Sequence, residues 1–234
     1  MVYKYEFSIK NMAIINLKGN GQLRTGRTEL DVPHLGKILT SVLPLIGPNY
    51  HANVMGEIDK QSQSRPTTAQ TISLVDLALQ NQDVAHCIEV VQKFKNNYLW
   101  SATEGTSFSE GYLAYDNIDG KMPSDSESLV RMFSEKDSRV RLVKPDFKIG
   151  YFPLKDFLKH PVLVAHVGEE MIPTVERVAK TLNKSGGYVY VVNNSKSDDK
   201  RLTAICSDRG GGRLGLDGYC SGDSDGGCAS GVLK

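Results

Sequence analysis

Three short stretches of this chain bring chemically capable side chains close together. His166 is followed by Gly168, Glu169 and Glu170. An imidazole beside carboxylates is a pairing suited to acid–base catalysis, because histidine changes charge near neutral pH and a carboxylate orients it or shares its proton. Gly21-Gln-Leu-Arg24-Thr-Gly26-Arg27-Thr28 has the spacing of a phosphate-binding loop. In such loops backbone N–H groups face the phosphates, a lysine reaches the terminal one, and a hydroxyl holds magnesium. Here Arg27 stands where the lysine belongs, and Asp31-Val-Pro33 marks a helix start that is too late for the motif. A surface turn carrying Arg24 and Arg27 is the better reading. Arg209-Gly-Gly-Gly-Arg213 sets two guanidinium groups on a bare backbone, which suits close approach to a sugar–phosphate chain.

Other candidates are weaker. His34, His51, His86 and His160 show no i, i+4 pairing or other metal-ligand spacing. Cys87 falls on the apolar stripe of a helix and reads as a small buried hydrophobe. Cys206, Cys220 and Cys228 are an odd set with spacings unlike a zinc ribbon. One bridge between Cys220 and Cys228 stays open beside free thiols. Gly222-Asp-Ser-Asp-Gly-Gly227 resembles the nucleophile segment of trypsin-like proteases, but Asp225 interrupts it and no earlier Ala-Ala-His-Cys segment exists. The same acidic run lacks the alternation and distal glutamate of a calcium loop. No metal or cofactor is expected. The arginine–glycine run is similar to segments of RNA-binding proteins, and Lys18, Arg139, Arg141 and Lys144 would extend a basic patch if the fold gathered them.

Composition sets the outer limits. The chain has 234 residues, 40% hydrophobic and 24% charged, with a formal net charge of +1. Those are the proportions of an ordinary globular protein, without a polybasic coat or acidic tail. No apolar run approaches the roughly 20 residues needed to cross a bilayer. Met1 to Lys10 alternates apolar and polar residues, unlike a signal peptide. An intracellular address, in the cytoplasm or within a particle, is therefore expected.

The elements that must position these groups follow from periodicity. Tyr3, Tyr5, Phe7 and Ile9 predict a strand, and Met12 to Leu17 a second. Asp31 as N-cap, Pro33 in the first turn, and Leu35, Ile38, Leu39, Val42 and Leu43 as a stripe predict a helix. Ala52, Val54 and Ile58 suggest a weak strand. Thr68–Gln80 and Asp83–Asn96 predict two neighbouring helices. A strand is expected near Phe108–Tyr115, and a short helix behind a Ser124/Glu127 capping box. Pro161-Val-Leu-Val-Ala-His-Val167 predicts a buried strand, then a helix to Leu182 and a strand over Tyr188–Val192, together a βαβ-like unit. A last strand over Leu202–Cys206 would pair with Tyr188–Val192. Tyr188 and Tyr190 suit either sheet packing or a partner surface.

The fold expected is a single mixed domain, α/β or α+β, over residues 1–206, with a glycine-rich tail over 207–234. About a third of residues 208–234 are glycine, against ~7% on average. Such a segment buries too little surface to offset its own ordering entropy, so either something outside it or a disulfide must hold it. The leading expectation is a non-enzymatic subunit of a larger assembly, capsid-, nucleoprotein- or ribonucleoprotein-like, self-associating or joined to other protein subunits. Its tail would be ordered by neighbouring chains, and it would bind RNA or single-stranded DNA through Arg24, Arg27, Arg209 and Arg213, with no membrane involved. The alternative is a small α/β enzyme with an acid–base site at His166, Glu169 and Glu170.

Overall fold

A computed structural model of the chain describes residues 14–24, 28–191, 200–207, 212–219 and 226–234. The strand expected over Tyr3–Ile9 lies outside them. The strands are β1 (Ile14–Asn16), β2 (Gln22–Arg24), β3 (Glu29–His34), β4 (Lys37–Asn49), β5 (Tyr98–Phe108), β6 (Gly111–Asp116), β7 (Val140–Val143), β8 (Gly150–Pro153), β9 (Gly186–Tyr190), β10 (Lys200–Ser207), β11 (Arg213–Tyr219) and β12 (Gly227–Val232). The helices are α1 (His51–Lys60), α2 (Thr68–Gln80), α3 (Ala85–Asn96), α4 (Ser126–Ser134), α5 (Leu154–Phe157), α6 (Pro161–Val167) and α7 (Ile172–Thr181).

All twelve described strands join one sheet in the order β1-β2-β3-β4-β12-β5-β10-β11-β9-β8, with β6 on the far half of β5 and β7 beyond it. The chain is thus a mixed α+β fold, the class its sequence indicates. Helices α2, α3, α5, α6 and α7 cover one face and enclose the main core, where Ile72, Val90, Phe94, Phe157, Val175, Leu214 and Leu216 are fully buried. On the other face, α1 seals Trp100 with Val54, Met55 and Ile58, and α4 seals Leu113 and Tyr115 with Leu129.

Several elements differ from expectation for identifiable reasons. The segment from Asp31 to Leu43 is a hairpin, not a helix: Leu35 and Gly36 both have positive φ (47° and 75°) and form a two-residue turn between His34 and Lys37. Asp31 caps nothing. Its carboxylate accepts from Arg24 Nη2 at 2.9 Å and Thr40 Oγ1 at 2.7 Å, across the ladder. The weak strand at Ala52–Ile58 is α1, whose buried residues His51, Val54, Met55 and Ile58 have helical spacing. Pro161–Val167 is α6, with Pro161 in its first turn and the His160 ring accepting from the Val162 N–H at 3.3 Å. A helix packed in the core is apolar nearly all round, so its run of valines reads like a strand. With that strand gone, the βαβ-like unit goes too. β9 runs parallel to β11 and antiparallel to β8, and β10 pairs with β5 and β11 rather than with β9. The cap of α4 is Asp125, accepting from the Ser128 N–H at 2.8 Å.

The glycine-rich stretch supplies two strands of the sheet. β11 lies between β10 and β9, and β12 between β4 and β5. Glycine has a packing reason there. A Cβ at Gly227 would stand 1.8 Å from the Trp100 indole nitrogen, and one at Gly231 would stand 1.6 Å from Gln63 Oε1. The ordering entropy of these residues is offset by the ladders and side chains of the same chain.

Candidate nucleic-acid interface

Among the described residues, the face of the sheet carrying α1 and α4 is open over β8, β9 and β11. Strand alternation sends Val189, Leu214 and Leu216 into the main core and therefore Tyr188, Tyr190, Arg213 and Asp217 to the opposite side. Register aligns Tyr151 with Tyr188, Tyr188 with Gly215, and Gly215 with Cys206. The rings of Tyr151 and Tyr188 are 4.7 Å apart, and those of Tyr188 and Tyr190 are stacked at 5.9 Å with an 8° angle. Tyr151 is 63% exposed and Tyr190 40%. The Arg213 guanidinium lies over the Tyr151 ring, 3.9 Å from its centroid.

The rings of Tyr151 and Tyr188 form one wall of a groove of about 590 Å³, whose lining also includes Lys95, Tyr98, Cys206 and Asp217. Its floor is Gly215, where a Cβ would meet Cys206 Sγ at 2.5 Å. Burial, with the Asp217 carboxylate nearby, pushes the Tyr188 hydroxyl above its ordinary pKa, so it remains a donor at neutral pH. The groove thus offers flat π-faces, cations at its rim and one carboxylate. That set suits a ligand with stackable rings and negative charge elsewhere.

The sequence candidates fall in different places. Arg213 lies beside this groove, over the Tyr151 ring that lines it. Arg24 is on β2, held by Glu29 at 3.4 Å and Asp31 at 2.9 Å. Six strand spacings separate β2 from β11, roughly 29 Å at about 4.8 Å each, so the fold does not gather these two arginines. Arg27 and Arg209 lie outside the described residues. Arg139 and Arg141 are tied to Asp137 and Asp116 at 2.7 Å each.

His166, Glu169 and Glu170 are likewise dispersed. His166 is 2% exposed, with Nε2 2.8 Å from the Tyr112 hydroxyl and Nδ1 without a partner among the described residues. Burial, and secondarily the Arg141 charge, push its pKa down to about 3, so the ring is neutral and sealed at neutral pH. Glu169 lines a separate 530 Å³ cleft with Arg141, Lys144 and Val164. Glu170 faces another, of 460 Å³, with Ser73, Met171 and Arg177. There its charge acts on His34, whose Nδ1 is 2.8 Å from Ser73 Oγ; burial nonetheless lowers the His34 pKa. Ser73 sits inside α2, where backbone N–H groups are engaged in helical bonds and none is left to stabilise an oxyanion beside it.

Cys87, Cys206 and Cys228 are free thiols, and burial pushes the Cys87 thiol up to about 11. Cys220 lies outside the described residues. Among those residues no group of three or more His, Cys, Asp or Glu side chains is placed to hold a metal ion, and no helix is long and apolar enough to cross a membrane. Comparison with protein-family models, with curated proteins and with solved structures finds no match to this chain.

Sequence reasoning missed Tyr98, Tyr151, Cys206 and Asp217 as members of one site. The only local signal was the Tyr188-Val-Tyr190 alternation. Tyr151 sits on a four-residue strand, and Asp217 joins it through the parallel pairing of β11 with β9, a long-range event with no sequence signature.

Proposed function

We propose that this chain is a non-enzymatic subunit of a larger assembly that binds single-stranded RNA or DNA across β8, β9 and β11. The observation that carries the reading is the Arg213 guanidinium seated on Tyr151 beside the Tyr188–Tyr190 stack, with Tyr151 and Tyr188 lining the groove. Bases stack on such rings whatever their sequence, while cations at the rim meet phosphates. The subunit role draws support from β1, which pairs only with β2 among the described residues and leaves Ile14 and Ile15 60% and 43% exposed. An apolar, unpaired edge invites another chain.

Fluorescence anisotropy with labelled single strands over a salt series tests the binding, and light scattering on the same samples tests the assembly. We expect salt-dependent binding that Tyr188→Ala weakens about tenfold, in line with the loss of one stacking partner. Absence of binding at low salt would remove the nucleic-acid role. A monomer at every concentration, with or without nucleic acid, would remove the assembly role.

A further inference from the structure

We infer that residues 3–9 of a second copy of this chain add as a further strand to the free edge of β7, with their apolar side chains filling the cleft between β7 and α6. The inference rests on the assembly reading above and deepens it by naming the contact. Among the described residues β7 has one strand partner, β6. The Asp116 N–H donates to the Arg139 carbonyl at 3.0 Å, and the ladder continues with Ala114 opposite Arg141 and Tyr112 opposite Val143. Antiparallel alternation therefore turns the Leu142 backbone and the Val140 carbonyl outward, where no described strand lies. Such an edge is a template for an incoming extended segment.

The cleft beside that edge has a volume of 530 Å³, and Val143, Pro161, Val164 and Ala165 supply its apolar lining. Val164 is half-buried and Pro161 exposed, so apolar surface stands open along the strand. Leu142, on the other side of β7, is 38% exposed. The charged lining residues do not favour a phosphate chain: Asp146 and Glu169 outnumber Lys144, and Arg141 is bound to Asp116. An extended peptide with an apolar residue at every second position is well matched. Its main chain meets the edge while alternate side chains enter the cleft.

The chain carries such a peptide outside its described residues, where Tyr3, Tyr5, Phe7 and Ile9 alternate with Lys4, Glu6, Ser8 and Lys10. That segment leads into β1, which lies seven strand spacings from β7 by way of β4, β12, β5 and β6. The separation is roughly 34 Å along the sheet at about 4.8 Å per spacing, whereas the stretch from Ile9 to Ile14 reaches ~18 Å at most. A second copy supplies the segment without that constraint, and the same contact repeated from copy to copy builds an open assembly. The other strands with a single partner are poorer templates. β1 has three residues, and β8 contains Pro153, which has no N–H to donate.

Light scattering and photocrosslinking on the full chain test the contact. Phe7→Asp puts a charge where the cleft is apolar and should weaken self-association about tenfold. An excess of a synthetic peptide of residues 1–13 should dissociate wild-type assemblies. The peptide leaves the protein unaltered, so its effect does not depend on how the variant folds. For the crosslink, Phe7 is replaced by photoreactive benzoylphenylalanine in one chain, which is mixed with isotope-labelled wild type. Crosslinks to labelled residues 140–146 or 161–169 are expected. Crosslinks confined within one chain would overturn the second copy as occupant, and crosslinks elsewhere, or none, would overturn β7 as the docking edge. Assembly that neither Phe7→Asp nor the peptide weakens would overturn the contact while leaving the assembly reading in place. A monomer at every concentration removes that reading, and this inference with it.

Discussion

Tyr112 against His166 and Tyr151 against Tyr188 are both ring contacts built on one sheet, with centroids 5.8 Å and 4.7 Å apart. The first lies under α6 in the main core, where the Tyr112 hydroxyl spends itself on the imidazole. The second lies on the bare face, where the Tyr151 ring is shared between Arg213 and solvent. His166 is the residue type most suited to chemistry, yet enclosure leaves it neutral and unreachable. The tyrosines are ordinary strand formers, yet exposure leaves their faces for a ligand to cover. Access, more than residue type, separates a structural contact from a working one.

The contrast breaks most visibly through stability. Tyr112→Ala removes a fully buried ring and should cost about 3–5 kcal/mol, read by denaturant melts followed on Trp100, the single tryptophan. Tyr188→Ala should change stability by about 0.5 kcal/mol or less; a cost comparable to that of Tyr112→Ala would show that the open face is core after all. Tyr112→Phe keeps the ring but strands the imidazole without its partner, and should cost about 1–3 kcal/mol.

Acid sharpens the same contrast. The folded-state pKa of His166 is depressed, so its contribution to stability is fully present above the ordinary imidazole value. It is lost as the pH falls from there toward about 3, at up to roughly 1.4 kcal/mol per pH unit. Denaturant midpoints measured from neutral pH downward should fall in the wild type and fall less steeply in His166→Phe. Parallel curves would mean that the histidine is not sealed. The smallest effect belongs to Arg213→Ala, which should leave the melt unchanged, weaken oligonucleotide binding a few-fold, and make its salt dependence shallower by about one phosphate contact.

Parts of this arrangement were legible before folding. α2 declared itself through the spacing of Ile72, Val75 and Leu79, all buried; the Thr67–Gln70 capping box at its start is a finding of the structure. α3 did so through Val84, Cys87, Ile88 and Val91, of which Cys87 and Val91 are buried while Ile88 is 38% exposed; Val90 and Phe94 complete its buried face. The hairpin of β3 and β4 was hidden because Leu35, Ile38, Leu39 and Val42 satisfy a helical stripe by chance, while the Leu35-Gly36 turn that decides the matter needs an unusual leucine with positive φ. α6 was hidden because its outward positions, Pro161 and Val164, are apolar like its buried ones, so no polar face betrays its period. Of the candidate groove, Arg213 and the Tyr188/Tyr190 alternation were visible. Its other members meet only through strand pairings that span the chain.

The position of β12 bears on how the molecule comes into being. Residues 227–232 form the rung between β4 and β5, whose partners on either side begin at residues 37 and 98. Until that rung arrives, β4 and β5 each present an unpaired internal edge, and Trp100 lacks the glycine surface it packs on. A chain ending at Ser207 would keep both edges open and would also lack β11. Emerging from a ribosome, this protein holds two halves of a sheet with a vacant slot between them, and its most glycine-rich stretch is the keystone that closes the slot last.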